Sequence, residues 1–216
     1  MPVSALRCTS AGEPSLRGFG ELDLLVVGEP LPVPGLGPVT TRILREPSVP
    51  TLVTRRLPDV NAPRRILCPV GLGAASEASL AWAAAIARAS SATLLLLHVL
   101  EWFPDEPASE AELGEPDSQT DLAATARARL ALLARDTGCK ARAHVATGTP
   151  HRQILRVARE QAADLISLGA HTRRDLDRIL PGTTSCRVLS LAECAVLRVP
   201  AGRGGEPYVD PDCSWR

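Results

Sequence analysis

The residues of this chain best suited to chemistry lie near its carboxyl terminus, where a glycine loop follows a predicted strand. Gly169 comes directly after an apolar run, and Gly182 opens a predicted helix. Glycines let backbone N–H groups approach an anion closely, and the start of a helix directs unpaired N–H groups at the same place. Thr183, Thr184 and Ser185 add hydroxyl donors. This pattern is typical of a site for phosphate or a similar anion.

The same residues also fit a simpler role. In that interpretation Thr183 or Thr184 caps the helix, and Gly182 makes the turn before it. His171 and Arg173 lie in the same loop and can donate hydrogen bonds to phosphate oxygens. Residues of such loops are more often solvated. The residues alone therefore leave both an anion site and a plain helix cap open.

A catalytic group is not identifiable in the sequence. His98 lies at the end of a predicted strand, and no serine, cysteine or carboxylate stands beside it at the spacing of an activated nucleophile. We therefore expect a packed or hydrogen-bonded histidine rather than a base. The six cysteines form no Cys-x-x-Cys pair and show no ligand spacing with the histidines. We expect reduced thiols, no metal site and no enzymatic activity.

Composition and charge exclude several classes of partner. The chain has 216 residues, of which 45% are hydrophobic and 22% charged, and its formal net charge is zero. A packed core is expected, whereas nucleic acid and anionic membranes are not expected partners. No apolar run approaches the roughly 20 residues of a membrane span. The first residues lack the pattern of a secretory signal, so we expect a cytoplasmic protein.

Short apolar runs alternate with helical periodicity between residues 65 and 200, which predicts an α/β fold. The predicted strands are residues 66–70, 93–99, 142–147, 165–168 and 195–199, and the predicted helices are residues 76–89, 121–137, 150–162 and 182–191. This order favours a five-stranded doubly wound parallel sheet, Rossmann-like, with helices on both faces. An acidic stretch broken by prolines, residues 101–121, is predicted to be a solvated loop.

The region before the complete module contains a partial internal repeat. Residues 23–28 match residues 164–169 in pattern, and Gly37 then falls on Gly182. We expect residues 1–56 to be a degenerate half module, residues 57–64 a linker, residues 65–200 the complete domain and residues 201–216 a flexible tail. A half module cannot cover its own apolar strands, so we expect it to dock on the complete one.

Several segments occur in the order found in one known family. They are residues 66–70, residues 95–99 with His98, the Gly148-Thr149-Pro150 turn, residues 163–166 and the last glycine loop. From about residue 65 to residue 200 the chain resembles the universal stress protein family. The resemblance implies a five-stranded doubly wound fold, dimers formed along the last strand and, in one branch of the family, ATP bound through a Gly-x2-Gly-x9-Gly-Ser/Thr motif.

The resemblance also assigns site residues. The ATP motif maps to Gly169, Thr172, Gly182 and Thr183, followed by Thr184 and Ser185. By the same resemblance Pro69, Val70 and Gly71 lie against the adenosine, and Val99 flanks the base.

This chain departs from the family pattern at two positions. Thr172 stands where the motif has its second glycine, and Gly71 stands where the family usually has an aspartate. Two functions therefore stay open. One is a stress-response protein that binds ATP at residues 169–185 without hydrolysing it. The other is a nucleotide-free interaction module, in which residues 51–54 pair with residues 195–199 as an intramolecular pseudo-dimer, in place of a homodimer through the last strand.

Overall fold

A single mixed sheet organises the part of the chain that the structure describes. The structure is a computed structural model that describes residues 24–28, 36, 40, 49–54, 62–71, 74–101, 116–170 and 184–201. The strands are β1 (Leu25–Gly28), β2 (Thr51–Thr54), β3 (Arg65–Pro69), β4 (Thr93–Leu100), β5 (Ala141–Thr147), β6 (Leu165–Ala170) and β7 (Ala195–Pro200). The helices are α1 (Ala74–Ser90), α2 (Pro116–Asp136), α3 (Pro150–Glu160) and α4 (Thr184–Leu191). The sheet order is β1-β2-β7-β6-β3-β4-β5.

Strands β3 to β7 form the predicted doubly wound sheet. All neighbouring pairs among these five strands are parallel. The chain passes from β3 to β4 and β5 on one side and then crosses to β6 and β7 on the other. The predicted α/β fold class is confirmed.

Two apolar cores lie on the two faces of the sheet, and β4 contributes leucines to both of them. Leu94 and Leu96 pack with residues of α1 and α2, and Leu95 and Leu97 pack with residues of α3 and α4. A strand buried on both faces reads as a continuous apolar run, which explains why β4 lacks the alternation of a half-exposed strand. Helix α1 approaches the sheet through alanines such as Ala83. None of the described helices combines the length and apolar character needed to cross a membrane.

The start of one helix differs from the sequence prediction. Helix α2 begins at Pro116, five residues before its predicted start, and proline is well tolerated at the first helical position. The predicted loop is therefore shorter, and its residues 102–115 lie outside the described residues. Thr149 is the N-cap of α3, and its side chain makes no capping hydrogen bond. Gly138 follows the end of α2 with a φ of 64°, a conformation that glycine commonly adopts after a helix.

The strands that precede the complete module extend its sheet. β1 and β2 pair in parallel, and β2 pairs antiparallel with β7, with Leu52 opposite Leu197 and Val53 opposite Val196. We call this β2–β7 pairing the seam. The predicted pairing of residues 51–54 with residues 195–199 is confirmed. Most of the predicted repeat, residues 57–61 of the linker and residues 202–216 of the tail lie outside the described residues, so the division into domains stays a prediction.

The seam is packed on both sides of the sheet. Val53 is 2% exposed and belongs to the same core as Val196, whereas Leu52 packs against the opposite core. Thr51 is buried, and its Oγ1 donates a hydrogen bond of 3.1 Å to the Val49 carbonyl. Because β2 occupies the edge of β7, β7 is an interior strand.

A pair of valine substitutions tests whether the seam belongs to the cooperative fold. Val53→Ala leaves a cavity at the seam and is expected to lower the free energy of unfolding by roughly 2 kcal/mol. Val26→Ala removes the same atoms from a side chain that is 47% exposed, and a change below about 0.5 kcal/mol is expected. Urea denaturation measures both. An unchanged unfolding midpoint for Val53→Ala would show that β2 is not part of the cooperative unit.

Candidate functional site

The topology places a switch point at the carboxyl ends of β3 and β6, the position at which open α/β sheets have a crevice, and we use that name for it. These two strands are neighbours, and the chain leaves them toward opposite sides of the sheet. Ligands of open α/β sheets bind at such a switch point. Pro69 is the last residue of β3, and Val70 and Gly71 follow it directly. Gly169 is the second-last residue of β6. The structure therefore brings two of the predicted site segments to one edge of the sheet.

The turn after β3 is held by three hydrogen bonds. The Val70 N–H donates to the Leu97 carbonyl at 2.7 Å, and the Gly71 N–H donates to Ser76 Oγ at 2.9 Å. His98 Nδ1 lies 2.8 Å from the Val70 carbonyl oxygen. Because that oxygen only accepts, Nδ1 carries the proton. The prediction of a hydrogen-bonded His98 is confirmed, and the histidine fixes the turn that borders the crevice.

Ser76 was not anticipated as a site residue. It lies in the first turn of α1, where its hydroxyl accepts the Gly71 N–H. A Cβ atom at Gly71 would lie 3.1 Å from Ser76 Oγ, so a side chain at this position forces the serine to move. Gly71, which stands where the family usually has an aspartate, therefore leaves the space that Ser76 Oγ needs. Serine at a helix start is a common capping residue, which masks this second role in the sequence.

The other predicted site residues divide into two sets. Val99 is partly buried and packs against the core beneath α3 and α4, and Gly169 pairs with Val199. Thr184 and Ser185 are half-buried in the first turn of α4. Outside the described residues lie Thr172, Gly182 and Thr183, together with the loop residues His171 and Arg173.

Helices α3 and α4 meet beside the crevice through a histidine and an arginine. His151, in the first turn of α3, is buried, and Arg187 Nη1 of α4 lies 3.2 Å from its Nε2. Burial, followed by the charges of Arg187 and Arg152, lowers the pKa of His151. The imidazole is therefore neutral near pH 7, and its Nε2 accepts the hydrogen bond from the guanidinium. His151 and Arg187 are 36 residues apart, so the local sequence pattern does not predict this contact.

The described cysteines form no disulfide bond. Burial raises the pKa of Cys68 to about 12 and that of Cys194 to about 11, so both stay protonated near neutral pH. Cys139 and Cys186 likewise take part in no disulfide bond. Within the described ranges no three histidine, cysteine or acidic residues are grouped as metal ligands.

Two cavities lie at the opposite, amino edge of the sheet. One, of about 470 Å³, is lined by Arg64, Arg65 and Arg142 together with the end of α3. The other, of about 460 Å³, lies between the ends of α1 and α2. Neither contains a predicted site residue.

Comparison with known proteins gives one family. The model of the universal stress protein family matches residues 63–200. The chain is similar to universal stress protein A homolog 1 of Coxiella burnetii, with 28% identity over 138 residues that make up 63% of this chain and 95% of that protein.

Solved structures agree with this match in fold. A universal stress protein from Archaeoglobus fulgidus superposes with a TM-score of 0.62 at 19% identity, and the likeness covers 83% of this chain and 63% of that one. A universal stress protein solved in complex with cAMP has a TM-score of 0.50 at 21% identity, covering 65% of this chain and 99% of that one. At such identities both likenesses concern the fold alone.

Removing the His98 side chain tests whether its hydrogen bond to the Val70 carbonyl holds the turn after β3. His98→Ala leaves the Val70 carbonyl without its side-chain partner, so we expect the free energy of unfolding to fall by about 1 kcal/mol. The Gly71 amide proton is expected to exchange faster with solvent. His144→Ala is the matched control, because His144 is exposed on the neighbouring strand β5. Equal losses of stability, with unchanged exchange at Gly71, would contradict the assigned contact.

Proposed function

Because the chain belongs to the universal stress protein family, we propose that it is a cytoplasmic stress-response protein that binds an adenine nucleotide at the carboxyl edge of its sheet. The observation that carries this proposal is the crevice between β3 and β6, with its turn fixed by His98 and Ser76. We assign the module a binding and sensing role, without hydrolysis.

The crevice offers the two kinds of surface that a nucleotide needs. Val99, near the end of β4, is a partly buried apolar side chain on the face of the sheet that packs with α3 and α4, suited to a base or a ribose. Val70, after β3, packs against the core on the opposite face, so its backbone rather than its side chain borders this surface. Helix α4 begins at the same edge of the sheet, and the first turn of a helix attracts phosphate through unpaired N–H groups and the helix dipole. Helix α4 has no acidic residue in its first turn to oppose an anion.

We infer the class of ligand from the fold of similar structures and from the glycine motif of this chain. The similar structure with cAMP carries an adenine nucleotide on the same fold, and we extend that class of ligand to this chain. We propose ATP within the class, since Gly169 and the Gly182-Thr183 pair keep the spacing of the family motif.

Calorimetric titration of the purified protein, freed of bound nucleotide, tests this proposal. We expect saturable heat on addition of ATP, and its loss in Gly182→Val, because the new side chain blocks close approach of phosphate to the backbone. Gly202→Val makes the same change in the predicted tail and is expected to bind as the wild type does. Absence of saturable heat in the wild type would overturn ATP binding.

A second function is favoured by the seam. The family resemblance implies dimers along the last strand, and in this chain β2 already occupies the edge of that strand. We propose as the alternative a nucleotide-free interaction module, in which the first strands replace a partner copy. This alternative needs no ligand at the crevice.

Deleting residues 1–56 tests the alternative. The deletion removes β2 and leaves the edge of β7 unpaired, and exposed strand edges pair with other chains. The truncated chain is expected to form dimers by light scattering at concentrations where the full chain is a monomer. A truncated chain that stays folded and monomeric would contradict the pseudo-dimer.

A further inference from the structure

A charged side chain lies inside the apolar core beside the seam. Arg198 of β7 is 4% exposed, with Thr51 opposite it in β2 and Leu168 opposite it in β6. It shares the face of Val196, which packs with α3 and α4. Burying a guanidinium is unfavourable unless its charge and its N–H groups find partners. An anion beside the guanidinium would offset this cost.

The described surroundings of Arg198 supply no such anion. Its Nη1 is buried and has no hydrogen-bond partner among the described residues. The neighbouring elements β2, β6 and α4 contain no aspartate or glutamate. The one acidic residue of α3, Glu160, pairs with Arg156 at the end of that helix. Asp164 and Glu193 precede β6 and β7, which places both carboxylates at the opposite, amino edge of the sheet. The charge of Arg198 is therefore not neutralised within the part of the chain that the structure describes.

The start of α4 adds a second positive feature at the same place. Cys186, in the first turn of α4, is close enough to act electrostatically on the Arg198 guanidinium. The unpaired N–H groups of that turn carry the positive end of the helix dipole. A guanidinium and a helix N-terminus repel each other unless an anion lies between them, and this turn contains no acidic residue. Burial is the largest influence on the pKa of Arg198 and lowers it, whereas Cys186 acts in the opposite direction.

We propose that Arg198 and the first turn of α4 form a buried subsite for a phosphate-type oxyanion. A guanidinium donates two parallel hydrogen bonds to such an anion, and the helix N–H groups bind its remaining oxygens. The phosphate of a nucleotide and free inorganic phosphate share this chemistry. Where the anion is a nucleotide phosphate, the inference rests on the proposed function; with inorganic phosphate it stands independently.

Arg198→Met separates these possibilities in the full-length protein. Methionine fills the buried volume without charge, and replacing a buried unpaired ion by an apolar residue is often neutral or stabilising, so the variant is expected to fold. Arg142→Met is the control, because Arg142 is exposed on β5. Binding of inorganic phosphate and of ATP is measured by calorimetry in a buffer free of phosphate and sulfate. Thermal unfolding with and without phosphate provides a second readout.

The wild type and Arg142→Met are expected to bind phosphate saturably and to gain thermal stability from it. Arg198→Met is expected to bind about 10- to 100-fold more weakly, since it loses charge-assisted hydrogen bonds. Arg198→Lys keeps the charge but not the paired geometry, and an intermediate affinity is expected.

The outcomes distinguish the subsite from the proposed function. Phosphate binding that depends on Arg198, in a protein that does not bind ATP, supports the subsite and overturns nucleotide binding. ATP binding and phosphate binding that are each equal in the wild type and in Arg198→Met overturn the subsite and leave nucleotide binding intact. If the wild type binds neither phosphate nor ATP, both are overturned.

Discussion

The antiparallel pairing of β2 with β7 is the constraint on which the rest of the structure depends. It converts the last strand of a five-stranded parallel sheet into an interior strand, so that β7 is covered on both edges and both faces. Arg198 lies on this strand opposite Thr51 of β2 and is buried. The same pairing fixes the strand against which α4 packs, and α4 in turn supplies the helix start at the carboxyl edge.

The proposed nucleotide site and the seam do not compete for the same backbone. The crevice proposed to hold a nucleotide lies between β3 and β6, in the middle of the sheet, whereas the seam lies between β7 and β2. Occupation of the seam therefore leaves the crevice open. Arg198 lies between the two surfaces, on the strand that pairs with both β2 and β6. An anion beside α4 would stabilise the nucleotide end of the module and the seam together.

Much of the fold follows from the sequence, because the central strands are buried on both faces and read as unbroken apolar runs. β4 is the clearest example, and the pairing of β2 with β7 follows from the need to cover apolar strands. Features that depend on contacts between distant parts of the chain could not be predicted from the sequence. Arg198 in an apolar run reads as an ordinary strand position, and its burial depends on neighbours from β2, β6 and α4. The contacts of His98 with Val70 and of Arg187 with His151 join residues far apart in sequence, for which periodicity gives no signal.

Native-state hydrogen exchange of the β2 amide protons, compared with those of β3, tests the seam most directly. If the seam is part of one cooperative sheet, the β2 amides that pair with β7 exchange only through openings nearly as costly as global unfolding, as in β3. Exchange of the β2 amides at the rate of an unstructured chain, while the β3 amides stay protected, would contradict it.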